Sequence, residues 1–185
     1  MFKGKDKFIS DRLYLRTLDA NDANEVYCSW LNDPEVNKFL ATKHATTQEL
    51  VDYIKEKNNH DDILLLGIFM KESNKFIGTI KLGPVDSILK KSNIAVMLGD
   101  KSSWGKGFGL EALNILIGHC FIRLKLEEVY LGVIKQNLAA LSLYKKAGFG
   151  EVVGRFDMLV NYDGEEFNQI TMSLTRECWL DKIKK

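Results

Sequence analysis

Proline is nearly absent, with two in 185 residues, and no repeat or low-complexity segment interrupts the chain. Both facts argue against an interdomain linker, so the chain reads as one domain, 1–185, long enough to bury a core. Cysteine is scarce too. Cys28, Cys120 and Cys178 are odd in number and widely spaced, which excludes a disulfide framework and suits a reducing cytoplasm. His44, His60 and His119 do not join them at zinc-ligand spacing, so no metal is expected. No apolar run approaches the ~20 residues that span a bilayer. The basic start, MFKGKDKFIS, lacks the apolar stretch of a secretory signal. A formal net charge of +1 gives no electrostatic case for a nucleic-acid or membrane partner. The 45% hydrophobic and 28% charged shares are those of an ordinary globular domain.

Leu13, Leu15 and Thr17 alternate with Tyr14 and Arg16, which predicts a first strand. Asp19 or Asn21 can cap a helix running to about Leu31. Asp33-Pro34 has the form of an N-cap followed by a first-turn proline, predicting a second short helix through Leu40. Thr46 and Glu49 have capping-box spacing, predicting a third from Gln48 to Asn58. The period then changes. Ile63 to Met70, Lys75 to Leu82 and Asn93 to Leu98 read as strands, with a loop from Pro84 to Lys91. Leu110, Leu113, Leu116, Ile117, Cys120 and Phe121 repeat at helical spacing. Val129 to Val133 is a strand, and Leu138 to Ala147 a helix stopped by Gly148. Phe156, Met158 and Val160 alternate, Asp163-Gly164 turns, and Ile170, Met172 and Leu174 alternate back, a hairpin. The mixture predicts an α+β fold with a crossover.

The most informative stretch is Trp104-Gly105-Lys106-Gly107-Phe108-Gly109, between a strand and an amphipathic helix. Amides at a helix start are unpaired and sit at the positive end of its dipole, and glycines admit phosphate oxygens close to the backbone. The loop is a pyrophosphate cradle by physics, or a plain glycine-rich turn. The G-x-G-x-G spacing departs from the dinucleotide fingerprint, which leaves a nucleotide-binding reductase resting on the glycines alone. Lys106 is followed by Gly107 and not by Ser or Thr, which departs from the Walker loop.

Leu98 through Leu113 resembles the acetyl-CoA-binding motif of the GNAT N-acetyltransferase superfamily, in which Arg or Gln precedes two variable residues and then Gly, one residue, and Gly or Ala. Trp104 holds the Arg/Gln place, similar to the branch that acetylates ribosomal-protein N-termini and its small-molecule relatives. Asn137-Leu138-Ala139-Ala140-Leu141-Ser142-Leu143-Tyr144-Lys145-Lys146-Ala147-Gly148-Phe149 resembles the second signature of that family. The resemblance covers Phe8 to Leu174. It implies a mostly antiparallel central sheet, splayed between a fourth strand at Asn93 to Leu98 and a fifth at Val129 to Val133. It also implies acetyl-CoA as co-substrate, with Trp104, Gly105, Lys106, Gly107, Phe108, Gly109 and Asn137 toward it.

The same resemblance implies an oxyanion donor at the backbone of Met97 or Leu98, and Tyr144 as the acid that protonates the leaving thiolate. Tyr144 also fits a core aromatic on a helix face. Asn137 fits a helix cap as well as a CoA contact. Many relatives carry a Glu on the fourth strand as base. Here Ser92-Asn93-Ile94-Ala95-Val96 has none, and Asp86, Glu35 and His44 are weak candidates. The acceptor expected is a small primary amine, such as an amino sugar, with a protein N-terminus as the alternative. A non-catalytic acyl-CoA-binding module is the reading from another class. The resemblance further implies that the segment from Trp30 to Leu40 forms a lip over the amine site. There Trp30, Val36 and Phe39 read as core anchors, and Asn32, Asp33 and Glu35 as groups able to orient a cation or hydroxyls. Partners are confined to the amine, small or peptidic, with the chain a monomer or homodimer.

Overall fold

The computed structural model describes residues 2, 7–152 and 158–184. In chain order these form β1 (Lys7–Ile9), β2 (Leu13–Thr17), α1 (Glu25–Asn32), α2 (Thr47–Asn58), β3 (Leu64–Met70), β4 (Phe76–Asp86) and β5 (Lys91–Leu98). There follow α3 (Phe108–Gly118), β6 (Glu128–Ile134), α4 (Leu138–Ala147), β7 (Gly150–Glu151), β8 (Met158–Tyr162), β9 (Glu165–Thr175) and α5 (Arg176–Ile183). The fold is α+β. The strands form one sheet in the order β1-β2-β3-β4-β5-β6-β9-β7, with β8 hung on β9. Only the β5–β6 pairing is parallel among the described residues.

Alternation along the strands divides the core between two faces. Leu13 and Leu15 of β2, with Leu64, Leu66 and Ile68 of β3, join Leu113, Leu116 and Ile117 of α3. Leu65 and Phe69 of β3 point the other way, to Tyr27, Trp30, Leu50 and Ile54 of α1 and α2. This is why β3 reads as an unbroken apolar run: both its faces are buried. Each fully buried Leu or Ile contributes roughly 1.5–3 kcal/mol. Beyond α3 the helix widens into a π-turn at His119–Arg123, which keeps Cys120 and Phe121 buried.

The sheet splays between β5 and β6. They pair only at Lys91↔Glu128, Ser92↔Val129 and Asn93↔Tyr130, although β5 continues to Leu98 and β6 to Ile134. These are the fourth and fifth strands of the sequence reading. The short edge strand β1 raises their number by one.

Several expectations need correction. Asp19 caps a short 3-10 turn at Ala20–Asp22, and Asn24 caps α1. The helix expected from Pro34 to Leu40 is a series of turns. Asp33 ends α1 with its carboxylate accepting the Glu35 N–H at 2.9 Å, and Asn37 bonds the Leu31 and Lys43 carbonyls at 2.7 and 2.9 Å. Side chains that satisfy backbone groups this way compete with a helix ladder. The loop from Pro84 is shorter than expected, because β4 runs to Asp86 through an irregularity between Leu82 and Val85 that accommodates the proline. Phe156 lies outside the described residues. No helix among the described residues is long and apolar enough to cross a membrane.

Candidate active site

Below Asn93 the free edges of β5 and β6 form a gap. Its vertex is Asn93, whose Nδ2 donates to the Tyr130 carbonyl at 3.4 Å. Strand parity decides which β5 groups face it. The Gly99 N–H donates to the Ile77 carbonyl at 3.0 Å, on the β4 side. Backbone groups alternate along a strand, so those of Met97 also point to β4, while those of Val96 and Leu98 point to the gap. Of the two oxyanion candidates, the Met97 N–H is therefore spent on the sheet and the Leu98 N–H is presented to the gap. Trp104 Nε1 takes the Leu98 carbonyl at 2.8 Å, which pins the glycine loop to the end of β5. Trp104 thus has a side-chain task in holding the loop.

The loop ends at Gly107, the N-cap of α3, at φ +82° and with no side-chain cap. Gly105 is also left-handed, at φ +71°. The first amides of α3, from Phe108 and Gly109 on, therefore meet no capping group and remain available to an anion. From outside, Arg12 clasps the loop. Its Nη1 donates to the Lys106 carbonyl at 3.0 Å, its Nε to Glu111 Oε2 at 2.7 Å, and its guanidinium lies 4.6 Å from the Phe108 ring centroid. Burial alone would raise the Glu111 carboxyl. Hydrogen bonds from the Ser10 hydroxyl, the Arg12 N–H and the Arg12 guanidinium outweigh that and hold it below its usual range. Sequence reasoning missed Arg12, since an isolated arginine before a strand carries no spacing signal.

Tyr144, on α4, is 6% exposed and lines the gap; burial pushes its phenol up to about 12. Asn137 lines the same gap and caps α4, its Oδ1 accepting the Ala140 N–H at 3.1 Å. The cavity there measures 170 Å³. On the α1/α2 side its walls are Phe39, Leu40 and Tyr162, with Phe167 packed behind Phe39 and Tyr162 at 5.9 and 5.8 Å between ring centroids. Phe39 is thus a wall of the cavity and not a core anchor. Trp30 and Val36 do pack in the α1/α2 core. No Asp or Glu among the described residues lines this cavity.

The weak base candidates lie elsewhere. The Asp86 carboxylate accepts the Ile88 and Leu89 N–H groups, Glu35 and Asp33 pair with Lys101 at 3.1 and 2.7 Å, and His44 is exposed. Asn32 is tied to the Ala45 backbone through both its carbonyl and its amide. Asp33 and Glu35 thus brace the α1 end against the segment preceding the glycine loop, and Asn32 ties it to the start of α2. Two further residues of the cavity, Gly132 and Gln169, escaped the sequence reading. Among the described residues no group of three or more His, Cys, Asp or Glu could hold a metal.

Residues 12–150 match the family model described as an acetyltransferase (GNAT) domain. The chain is 28% identical over 144 residues to an uncharacterized N-acetyltransferase, p20, of Bacillus licheniformis, covering 76% of this chain and 80% of that one. It is 23% identical over 143 residues to the spermidine N(1)-acetyltransferase of Vibrio cholerae, covering 77% and 82%. The crystal structure of a V. cholerae spermidine N-acetyltransferase with CoA and spermine superposes with a TM-score of 0.81 at 19% identity, over 92% of this chain and 99% of that one. With a splayed sheet, an uncapped glycine-led helix and a family match over most of its length, the chain belongs to the GNAT acetyltransferase family, whose members use acetyl-CoA, and is an N-acetyltransferase of that kind.

Proposed function

We propose that this chain transfers the acetyl group of acetyl-CoA to the primary amine of a small molecule such as an amino sugar. The observation that carries the reading is that the free edge of β5 runs from the cavity lined by Tyr144 to Leu98, which packs beside Gly109 at the uncapped start of α3. In this account the amides from Gly105 to Gly109 hold the pyrophosphate, the Trp104 N–H being spent on the Lys101 carbonyl, and Asn137 contacts CoA while capping α4. The Val96 backbone, free on the gap edge, pairs with the pantetheine amides as a neighbouring strand would. The Leu98 N–H stabilises the oxyanion.

The amine nitrogen bonds to the thioester carbonyl carbon and the C–S bond breaks. Tyr144 gives its proton to the departing thiolate, and the proton shed by the amine returns to the phenolate through water. A free thiol titrates near ~8.5, well below the buried phenol, which would make that transfer uphill in water. Partial desolvation of the leaving thiolate raises its proton affinity in the same direction as burial raises the Tyr144 phenol, which narrows that gap.

Aromatic walls at Phe39 and Tyr162 suit the apolar face of a sugar ring. A polyamine acceptor is the second reading, favoured by the spermidine acetyltransferases among the relatives. Release of CoA from acetyl-CoA against glucosamine, nucleotide-linked amino sugars, spermidine and N-terminal peptides tests the choice. Fastest turnover of an amino sugar is expected. Turnover confined to N-terminal peptides would overturn the acceptor while leaving the acetyl transfer.

A further inference from the structure

The acceptor side of the cleft holds one polar side chain laid across bare backbone. Gly132 of β6 has no side chain, and Gln169 of the adjacent β9 occupies the space a Cβ would take. A Cβ there would collide with Gln169 Nε2 and stand 2.7 Å from its Cδ. The register explains the approach: Gln169 pairs with Ile134 and Gly132 with Thr171, so Gln169 and Gly132 share a face and lie diagonally. Both line the cavity together with Asn93 and Tyr144. Gln169 is half-buried, and no side-chain hydrogen bond among the described residues engages its carboxamide.

We infer that the Gln169 carboxamide, seated on Gly132, is the group that binds and orients the acceptor amine, and that the site consequently selects amines of low basicity. This rests on the acetyltransferase reading above. The carboxamide oxygen accepts one N–H of a neutral amine and leaves its lone pair free for the thioester carbon. It brings no negative charge. An ammonium entering the cleft would lose its hydration without a counter-charge, a cost that a neutral amine avoids.

The charged groups around Gln169 bear this out by position. Tyr144 of α4 and Tyr162 of β8 are the titratable groups that line the cavity among the described residues. Glu165 and Glu166 open β9, paired with Tyr162 and Asn161, Glu128 lies at the far end of β6, Asp163 in the β8–β9 turn, Lys135 just past β6, and Lys38 beside Phe39. None of these six charged residues lines the cavity. With no carboxylate lining the cavity among the described residues, the neutral fraction of the acceptor sets the rate. At pH 7.5 an amine titrating near ~8 is about one-quarter neutral, and one near ~10.4 about one part in a thousand. The site therefore favours amines beside electron-withdrawing groups, as in amino sugars or α-amino compounds, over alkyl polyamines by about a hundredfold.

The test uses the full chain, acetyl-CoA at saturation, and glucosamine, glycinamide, ethanolamine and spermidine as probes. For the wild type, kcat/KM at pH 7.5 should fall with rising amine pKa. The value for spermidine should climb about tenfold per pH unit from 7 to 9. Gln169→Leu should raise the acceptor KM about tenfold or more with the acetyl-CoA Kd unchanged. Gly132→Ala, which displaces the carboxamide without deleting it, should do the same. Gln169→Glu should shift the spermidine-to-glucosamine kcat/KM ratio toward spermidine by at least about tenfold. Wild-type preference for spermidine at pH 7.5, or a ratio unmoved in Gln169→Glu, overturns the inference and leaves the acetyltransferase reading standing. Absence of amine-dependent CoA release with every probe overturns both.

Discussion

Replacing Gly107 by alanine probes the phosphate cradle without crowding it. Gly107 sits at φ +82°, where an L-residue pays about 1–2 kcal/mol. The new Cβ would meet only Arg12 Nη2, at 3.5 Å, an ordinary contact, so sterics do not dominate. Two responses are open to the loop. It can keep its shape and carry the strain, or it can relax toward negative φ and turn its amides away from the anion site. In the second case each hydrogen bond lost to a phosphate oxygen costs about 1.5–3 kcal/mol. Strain carried alike by the free and bound loop costs stability and leaves Kd unchanged, whereas relaxation raises the acetyl-CoA Kd about tenfold or more. Calorimetric titration with acetyl-CoA reads this directly. Gly164→Ala supplies the control, because Gly164 sits at φ +86° in the β8–β9 turn with open space around its Cβ. It carries the same backbone penalty far from the loop and should lose stability with Kd unchanged. A Gly107→Ala protein that escapes the stability loss seen in Gly164→Ala, and so has relaxed, yet binds acetyl-CoA within twofold of wild type would refute the cradle.

Arg12→Ala removes the bond to the Lys106 carbonyl and the pair with Glu111, and should weaken acetyl-CoA binding about three- to tenfold. Because Arg12 is half exposed, the accompanying stability loss in urea should stay within about 1 kcal/mol. Asp100 is the acid-sensitive brace of the same loop. Desolvation would raise its carboxyl, but hydrogen bonds from Ser103, Lys75 and Ser102 prevail and hold it at about 2. A depressed folded pKa stabilises above the unfolded value of ~3.9 and is lost as pH falls toward 2. Asp100→Asn should therefore destabilise by about 1–2 kcal/mol at pH 7, and urea unfolding should show that difference shrinking between pH 4 and pH 2.

The parts of the fold that were legible in sequence are those fixed by local chemistry. Thr46 and Glu49 form the expected capping box of α2, and Gly148 closes α4 at φ +107°. Asp163 and Gly164, both at positive φ, turn the hairpin as an Asp-Gly pair should. The left-handed glycine turn leading into α3 was legible for the same reason, since glycine spacing is a backbone property. The lip misled because Asp33-Pro34 meets the rule for a helix start, while Asn37 and Asp33 spend their side chains on nearby backbone instead. Gln169 was invisible. Its role depends on a bare glycine two positions off its cross-strand partner, in a strand 37 residues earlier, and only the register of β6 against β9 brings the two together. Arg12 and Glu111 likewise meet only in the folded chain, 99 residues apart.

The most direct measurement of the central claim is CoA thiol release from acetyl-CoA, followed with and without amine, in the wild type and in Tyr144→Phe. The account predicts release that depends on amine, with kcat falling about a hundredfold or more in the variant while the acetyl-CoA Kd stays within about twofold. Loss of acetyl-CoA affinity with kcat preserved would make Tyr144 a packing residue. Binding of acetyl-CoA with no amine-dependent release in the wild type would contradict the account altogether.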